Sequence, residues 1–456
     1  MKVNLLRDDV KKMFFILLFS AIGSSIVSTI YSTVDMICVG QYCKDIGTAA
    51  LSCVNPIWPL MISVGYMAGV GGSVMMANRR GAGDNAAGNQ YYTVSVAISV
   101  LWGVLVVCAL SFFDDELLTF FGAKNPEILA YAKEYLKSIT FVAPTFTLCG
   151  CLAAFMRNDG EAVIPTVATV IGGVVNIVLD ILLVFDFGAG LGMFGAGLAT
   201  SIGQAVAFLI ILSYFFTKKC HLRLAVPRKV PKKLYRIVTV GFSAFLLEVS
   251  FGATTTLCNN VISNHLTPTH LAVFGTASTV VVMFCCLLNG VGTALQPIAA
   301  TNFGAANHTR VKKALTIAIV VAAIMGSGFF ALTMLLPEFI LKMYIDVSAN
   351  PEILKIGPTI LRIYGAALPV TGITIVATFY FQSVLKQKVS VALSLLRGLV
   401  LPMLLIEALP LVFGGNFEAI WWSMPLTEAI TFITALLCLV FIRALKKEDE
   451  DKLLIP

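Results

Sequence analysis

Apolar residues fill long continuous runs of this chain, separated by short polar connections. A helix of about 20 apolar residues crosses the hydrocarbon core of a bilayer. The runs do not alternate apolar with polar side chains, so they predict helices rather than a β-barrel. Twelve such segments are found, at residues 13–39, 51–77, 91–113, 131–156, 163–185, 191–217, 234–263, 272–300, 312–336, 355–384, 389–413 and 417–445. The pattern therefore predicts an all-α polytopic membrane protein with twelve transmembrane helices.

The composition agrees with a membrane protein. Hydrophobic residues make up 58% of the 456-residue chain and charged residues only 12%. A soluble domain carries about twice that share of charge. No polar connection is long enough to form a soluble domain. The first apolar run is too long for a cleaved signal peptide, so we expect it to be a membrane helix.

Basic residues predict the orientation of the chain. When the connections are assigned alternately to two sides, 24 of the 32 Lys and Arg lie on the side that holds both termini, and 7 lie on the other. Positive residues concentrate on the cytoplasmic side of membrane proteins. We therefore expect a multi-pass protein of the inner (plasma) membrane with both termini in the cytoplasm. The basic loop 218–236 follows from the same rule, so it does not indicate a nucleic-acid partner.

Short motifs of the chain recur at an offset near 225 residues. The letters NPEIL occur at residues 125–129 and again at 350–354. Further matches keep the same order and nearly the same offset: Gly81-Ala82 with Gly304-Ala305, Pro144 with Pro369, and Asp35 with Asn260. Two halves with six helices each enter the membrane the same way round. They are predicted to be two six-helix bundles related by a pseudo-two-fold axis along the membrane normal.

The repeat also predicts boundaries. We place the N-terminal six-helix half at residues 1–217, a cytoplasmic linker loop at 218–233, the C-terminal six-helix half at 234–445 and a cytoplasmic tail at 446–456. Each copy of NPEIL is predicted to begin an equivalent helix at the outer face. Its Asn is the predicted N-cap, its Pro the first helical residue, and its Glu lies in the first turn, where the helix dipole favours negative charge.

A duplicated helical bundle in a membrane suggests transport, with the substrate between two halves that rock around it. Over nearly its whole length the chain resembles the multidrug and toxic compound extrusion (MATE) transporters. The resemblance rests on the six-plus-six repeat, on the Gly-Ala turns after helices 2 and 8, and on NIVLDILLVFDFGAGLGMFGAGLAT at residues 176–200. It implies a secondary active antiporter that exports organic cations or drugs in exchange for H⁺ or Na⁺ by alternating access.

Ionisable residues inside the predicted spans are the candidates for the chemistry of the protein. A charged side chain at the centre of a bilayer costs about 2.5–3.5 kcal/mol on insertion scales, and such residues usually line an interior or a pathway. Six are found, and they are Asp35, Asp180, Glu248, Arg397, Glu407 and Glu428. Five of the six are acidic, which favours cations.

Asp35 and Asp180 form the first candidate pair. Asn176 precedes Asp180 by four residues, so both lie on one face of helix 5. The resemblance implies that Asp35 matches the helix 1 aspartate of the family. It also implies that Asn176 and Asp180 match the helix 5 pair and that Thr200, with Ser201 as the adjacent register, matches a helix 6 threonine. Together these would form a cation or proton site. The alternative for Asp180 is contact with water at the outer end of its helix.

The second half holds further candidates for a substrate or second cation site: Glu248, Asn260, Arg397 and Glu428. Glu248 resembles the helix 7 glutamate of the family. The family pattern also places an aspartate in helix 10, where this chain offers only Gln382, so the resemblance does not imply a complete second cation site. Arg397 is expected to neutralise either Glu248 or Glu428. Glu407 is expected at the membrane interface.

No enzyme is indicated by the motifs of the chain. There is no phosphate-binding loop for ATP coupling and no paired His or Cys motif. We expect no cofactor beyond the coupling ion, organic cations and the lipid bilayer as partners, and a monomer. A lipid-linked precursor flippase of the same superfamily is the alternative, and it should show several basic residues in its cavity. A channel is a further alternative. The substrate and the choice of H⁺ or Na⁺ stay open.

Overall fold

The computed structural model describes residues 3–218, 220–344 and 352–441. Within these ranges the regular structure is helical, with no strand. The α-helices are α1 (Val10–Val54), α2 (Ile57–Gly81), α3 (Asn85–Phe112), α4 (Asp114–Phe120), α5 (Pro126–Thr140), α6 (Ala143–Asn158), α7 (Val163–Val184), α8 (Gly192–Ser213), α9 (Val230–His265), α10 (Pro268–Gly304), α11 (His308–Leu335), α12 (Pro337–Tyr344), α13 (Ile353–Gly365), α14 (Leu368–Ser383), α15 (Gln387–Leu395), α16 (Leu401–Val412) and α17 (Ser423–Phe441). A π-helix at Leu396–Val400 joins α15 to α16.

The membrane-spanning segments agree with the hydropathy pattern. Eleven helices of the described chain are long and apolar enough to cross a membrane. The bent pair α5 and α6, with an angle of 56° between them, supplies a twelfth if it forms one span. The predicted all-α polytopic class is therefore confirmed. Helix ends differ from the prediction, because α1 continues past residue 39 to a break at Lys44, whose positive φ of 53° is incompatible with a regular helix.

Two compact units make up the described chain. One comprises the residues up to Asp8 together with Phe19–Phe245, and the other comprises Asp9–Leu18 together with the residues from Leu246 onward. Each unit has its own apolar core. The predicted domain boundaries at residues 217 and 234 stay a prediction.

The internal repeat is visible within each unit. In the first unit Asp84 caps α3, because its Oδ1 accepts a hydrogen bond of 2.9 Å from the Ala87 amide. In the second unit Asn307 caps α11 in the same way, at 3.3 Å from the Arg310 amide. Each of these long helices is followed by a short one, α4 or α12. The same local sequence signals thus produce the same local structure at an offset near 225 residues.

The NPEIL motif explains the start of α5. Asn125 is the N-cap, its Oδ1 accepts a hydrogen bond of 2.9 Å from the Glu127 amide, and Pro126 is the first helical residue. This confirms the predicted capping of the first copy, whereas its place at the outer face stays a prediction. In the second copy, Asn350 and Pro351 lie outside the described residues, and α13 begins at Ile353.

A glycine contact with a proline-containing turn also occurs twice. A Cβ on Gly103 would lie 2.6 Å from the Pro144 Cα, and a Cβ on Gly326 would lie 3.0 Å from the Pro369 Cα and 2.4 Å from the Leu368 oxygen. Neither site has room for a methyl group. The absence of a side chain lets α3 approach α6 in the first unit and α11 approach α14 in the second.

We expect Gly326→Ala to lower the free energy of unfolding by about 1–3 kcal/mol, the usual range for overpacking. Gly328 is the matched control in the same helix, because a Cβ there meets nothing within 4 Å. Alanine favours a helix over glycine by up to about 1 kcal/mol, so Gly328→Ala should be neutral or stabilising. Thermal unfolding of the purified variants measures both effects. Equal shifts for the two variants would contradict the close approach at Gly326.

Candidate cation-coupling site

Glycines determine how the helices of the first unit approach the candidate site. A Cβ on Gly203 of α8 would lie 2.6 Å from the Gly172 oxygen and 2.9 Å from the Asn176 Cβ of α7. A Cβ on Gly197 of α8 would lie 2.7 Å from the Tyr135 oxygen of α5. Small residues of this kind let membrane helices come into backbone contact. They bring α5, α7 and α8 together around the predicted polar residues.

Asn176 and Asp180 share one buried face of α7, as their spacing predicted. Their exposed fractions are 3% and 0%. The Asn176 Nδ2 donates a hydrogen bond of 3.3 Å to the Thr200 Oγ1 on α8. Asn176 Oδ1 and both carboxylate oxygens of Asp180 are buried without a hydrogen-bonding partner in the described chain. The alternative that Asp180 meets water is therefore wrong, because its side chain is fully enclosed.

Asp35 lies on α1 in the same unit. It is half-buried, and its Oδ2 accepts a hydrogen bond of 3.4 Å from the Tyr135 hydroxyl. Its Oδ1 is buried without a partner among the described residues. Asp35 is close enough to Asp180 for the two carboxyl groups to interact electrostatically, and the Tyr135 hydroxyl interacts with Thr200. The structure thus brings the four predicted residues into one cluster.

The structure shows which of the two adjacent hydroxyl residues of α8, Thr200 or Ser201, belongs to the site. Thr200 faces Asn176, whereas the Ser201 hydroxyl donates a hydrogen bond of 2.6 Å to the Ser138 oxygen of α5. Ser201 therefore stabilises helix packing, and Thr200 belongs to the cluster.

Tyr135 is the member that sequence reasoning missed. It is buried on α5, on the same face as Leu136 and Ile139. A search for charged residues passes over a tyrosine in an apolar helix. Its position on the buried face of a membrane helix could have indicated a role in the site. A buried tyrosine hydroxyl usually finds a hydrogen-bond partner.

The cluster can bind a proton or a small cation. Four of its oxygens lack partners, and leaving a buried acceptor unsatisfied costs about 1–3 kcal/mol, more for a charged group. A proton on a carboxylate removes the charge, and a small hard cation would be coordinated by carboxylate and carboxamide oxygens. A proton or a cation would therefore satisfy oxygens that the helices leave unpaired. The gain matters because an isolated carboxylate within a membrane span has a high free-energy cost.

In the second unit the structure selects the partner of Arg397. Its Nε donates a hydrogen bond of 2.7 Å to the Glu428 Oε1, and the two side chains are 14% and 4% exposed. Arg397 lies in the π-helix between α15 and α16. The adjacent Gly398 allows a close approach by α9, whose Thr254 hydroxyl donates a hydrogen bond of 2.9 Å to the Gly398 oxygen. Of the two predicted partners, Glu428 is the one bonded.

The other candidates of the second unit are not gathered into a cluster. Glu248 is half-buried on α9 near Cys286. Asn260 is exposed, with no hydrogen-bonding partner in the described chain. Glu407 is exposed as well, and its place at the membrane interface stays a prediction. Gln382 accepts a hydrogen bond of 2.9 Å from Gln296, so its side-chain oxygen is used between helices.

The described chain is helical with up to twelve membrane spans, and two carboxyl groups, those of Asp35 and Asp180, interact within its first unit. A repeated helical bundle with interacting carboxyl groups inside the membrane is typical of a polytopic membrane transporter. The MatE family model matches residues 20–182 and 242–406. This is more than half of the chain, so the chain belongs to the MatE family.

Individual relatives are similar over nearly the whole length. The multidrug export protein MepA of Staphylococcus saprophyticus is 25% identical over 437 residues, covering 94% of this chain and 93% of that protein. MepA of Staphylococcus haemolyticus is 25% identical over 433 residues, with the same coverage.

Solved structures share the fold. A multidrug resistance MATE family transporter of the MOP superfamily, in an outward-facing conformation, superimposes with a TM-score of 0.89 at 24% identity, covering 97% of this chain and 98% of that one. A MOP superfamily transporter from Pyrococcus furiosus, described as having a binding pocket of reversed polarity, gives 0.88 at 24% identity with the same coverage. The resemblance to MATE transporters is confirmed, as is the expectation that the chain is not an enzyme.

Proposed function

We propose that the chain is a secondary active antiporter that exports organic cations or drugs in exchange for H⁺ or Na⁺ by alternating access. One observation carries this proposal. Asp35 and Asp180, in membrane-spanning helices of the first unit, present three buried oxygens without partners beside the equally unpartnered oxygen of Asn176. The names of the MepA relatives, as multidrug export proteins, support export as the direction and drugs as the cargo.

The proposed coupling uses the charge of this cluster. A bound proton or Na⁺ changes the net charge of the cluster by one unit and so changes which conformation is favoured. Ion and drug are coupled if they prefer opposite conformations or compete for one. Each elementary charge that moves inward supplies about 2.3 kcal/mol per 100 mV of membrane potential. In this scheme Asp35, Asn176, Asp180 and Thr200 bind the ion, and Tyr135 positions Asp35.

The proposed preference for cationic substrates follows from the charges that remain uncompensated. Arg397 is bonded to Glu428, so these two charges compensate each other. Glu248 is then the half-buried carboxylate of the second unit that is available to pair with a cationic drug. We assign the substrate-facing role to Glu248 rather than to Asn260, whose side chain is exposed and uncharged.

The flippase alternative is not favoured. A pyrophosphate-linked lipid would require several uncompensated basic groups within the membrane. Among the predicted intramembrane residues only Arg397 is basic, and its Nε is 2.7 Å from the Glu428 carboxylate. We retain the proposal of a plasma-membrane protein with both termini in the cytoplasm, since 24 of the 32 basic residues follow that topology. We also propose that it acts as a monomer.

The test uses inside-out membrane vesicles that contain the full-length protein. Their lumen is made acidic or filled with Na⁺, in separate experiments, and a fluorescent quaternary ammonium dye or a carboxylated dye is added outside. We expect the cationic dye to accumulate under one of the two gradients and the anionic dye to be excluded. Dye flux that is independent of both gradients would indicate a channel, and preference for the anionic dye would contradict the proposed substrate class.

A further inference from the structure

The segment between the last helix of the first repeat and α9 is a fixed surface element. We call residues 220–229 the strap. The Ala225 amide donates a hydrogen bond of 2.9 Å to the Thr93 hydroxyl, and the Arg228 amide donates one of 3.1 Å to the Gln90 Oε1. Thr93 and Gln90 lie in the first turns of α3, so the strap crosses the end of a membrane span.

A buried carboxylate holds the beginning of the strap. Asp159 accepts hydrogen bonds from the Arg80 guanidinium at 2.5 Å, from the Tyr214 hydroxyl, and from the His221 amide at 3.3 Å. The Arg80 Nη2 also donates a hydrogen bond of 2.8 Å to the His221 oxygen. Leu222 is buried in the core beneath. The strap is therefore attached to the first unit on both sides of its apolar residues.

The outward face of the strap is apolar where it passes the end of the span. Leu224 is 71% exposed and Val226 is 86% exposed. Tyr235, in the first turns of α9, is also exposed. A soluble surface would hold such side chains in water at a cost of about 25 cal/mol per Å² of apolar area. At the edge of a bilayer they can enter the boundary between headgroups and acyl chains.

The strap and the residues that flank it carry concentrated positive charge. Residues 218–236 contain eight Lys and Arg and no acidic residue. Lys233 is held in place, because its Nζ donates a hydrogen bond of 2.6 Å to the Arg228 oxygen and lies 5.6 Å from the centre of the Tyr91 ring. Lys233 also lies within electrostatic range of three further cations, Arg79, Lys229 and Arg236, and of one carboxylate, Asp84, so positive charge is in excess here.

Four of these basic side chains face outward without a counter-charge. These exposed residues are Arg223, Arg228, Lys229 and Lys232. None of them forms an ion pair in the described chain. Water and salt screen such exposed charges only in part, so the arrangement attracts a negatively charged surface.

We propose that the strap binds the phosphate headgroups of anionic phospholipids, with Leu224 and Val226 seated among the adjoining acyl chains. The apolar residues favour a lipid over free phosphate, because a soluble anion would leave them in water. The position at the end of α3 places both kinds of side chain at the depth where headgroups lie. This surface is separate from the ion-coupling cluster, so the proposal does not depend on the transport mechanism.

The test measures binding of phosphatidylglycerol to the purified full-length protein in neutral detergent, by native mass spectrometry, with phosphatidylcholine as the neutral comparison. The strap variant replaces Arg223, Arg228 and Lys229 of the strap, together with Lys232 in the adjoining first turn of α9, with Gln. The control variant makes the same replacement at four exposed lysines outside the strap, Lys11, Lys12, Lys312 and Lys388. A basic side chain that faces the bound headgroup is expected to contribute up to about fivefold in affinity. We expect the strap variant to bind phosphatidylglycerol at least tenfold more weakly and the control variant to change less than twofold.

A further variant, Leu224→Ser with Val226→Ser, separates lipid from free phosphate. We expect it to weaken binding of phosphatidylglycerol while its charges are intact. Three results would overturn the proposal. The first is an equal loss of affinity in the strap and control variants. The second is an unchanged lipid affinity in the serine variant together with competition by millimolar inorganic phosphate. The third is that the unmodified protein does not prefer phosphatidylglycerol to phosphatidylcholine.

Discussion

Asp180→Asn is expected to abolish ion-driven drug accumulation in inside-out vesicles while the protein remains folded in the membrane. Asp180 is fully buried, and neither of its carboxylate oxygens has a partner in the described chain. Its negative charge is therefore available for neutralisation by the coupling ion. An amide is neutral and cannot change its charge, so we expect a loss of about 100-fold or more, the lower range for removal of a proton-transfer group. Asp35→Asn should act in the same way.

Stability separates a coupling role from a structural one. Burying a neutral amide costs much less than burying a charged carboxylate without a partner. Asp180→Asn should therefore unfold at the same temperature as the unmodified protein or a higher one, although it no longer transports. The matched control is Asp186→Asn, since Asp186 lies just beyond the end of α7 and is exposed. It should transport normally. Normal drug accumulation in both Asp35→Asn and Asp180→Asn, at equal expression, would remove this cluster from the mechanism.

The membrane spans and the acidic pair could be predicted because the bilayer restricts what a sequence may contain. Hydrocarbon requires long apolar helices, and it makes every charge within them conspicuous. Asp35 and Asp180 were identified on that ground, and Asn176 was identified by its spacing of four residues from Asp180. Tyr135 was not, because a tyrosine is common in apolar helices and only the packing of α5 shows that its hydroxyl reaches Asp35.

Pairings between distant helices could not be predicted from periodicity. Glu248 and Glu428 were equally plausible partners for Arg397, and the choice depends on how α9 and α17 pack around the π-helix. The sequence likewise did not predict the hydrogen bond between Gln382 and Gln296, which lies 86 residues away in the chain. Helix ends could not be predicted either, because no pattern in the sequence marks a break such as the one at Lys44.

Arg397→Met is expected to destabilise the protein by about 3–5 kcal/mol, the usual effect of removing one partner from a buried ion pair. Glu428 is 3% exposed, and its Oε2 already lacks a hydrogen-bonding partner in the described chain. Without the Arg397 guanidinium at 2.7 Å, its Oε1 would lose its partner as well. An uncompensated carboxylate would then remain among apolar helices. Thermal unfolding in detergent, and the fraction of protein that reaches the membrane, measure the effect.

The double variant Arg397→Met with Glu428→Leu tests whether the two charges act as a unit. Replacing a buried ion pair with apolar residues of similar volume is often neutral or stabilising. We therefore expect the double variant to regain most of the stability lost in Arg397→Met. Glu407→Gln is the control, because Glu407 is an exposed carboxylate in α16 and should tolerate neutralisation. A double variant no more stable than Arg397→Met would show that the pair does not act as a unit.

Transport by the stable double variant then decides whether this pair takes part in the mechanism. If Arg397 and Glu428 only hold the π-helix against α17, gradient-driven export should persist without either charge, in contrast to its loss in Asp180→Asn. Export of the cationic dye should then depend on Glu248, the half-buried carboxylate that remains in the second unit. If the double variant is stable but no longer exports the dye, the pair belongs to the substrate or coupling site, and the first unit alone would not account for the coupling.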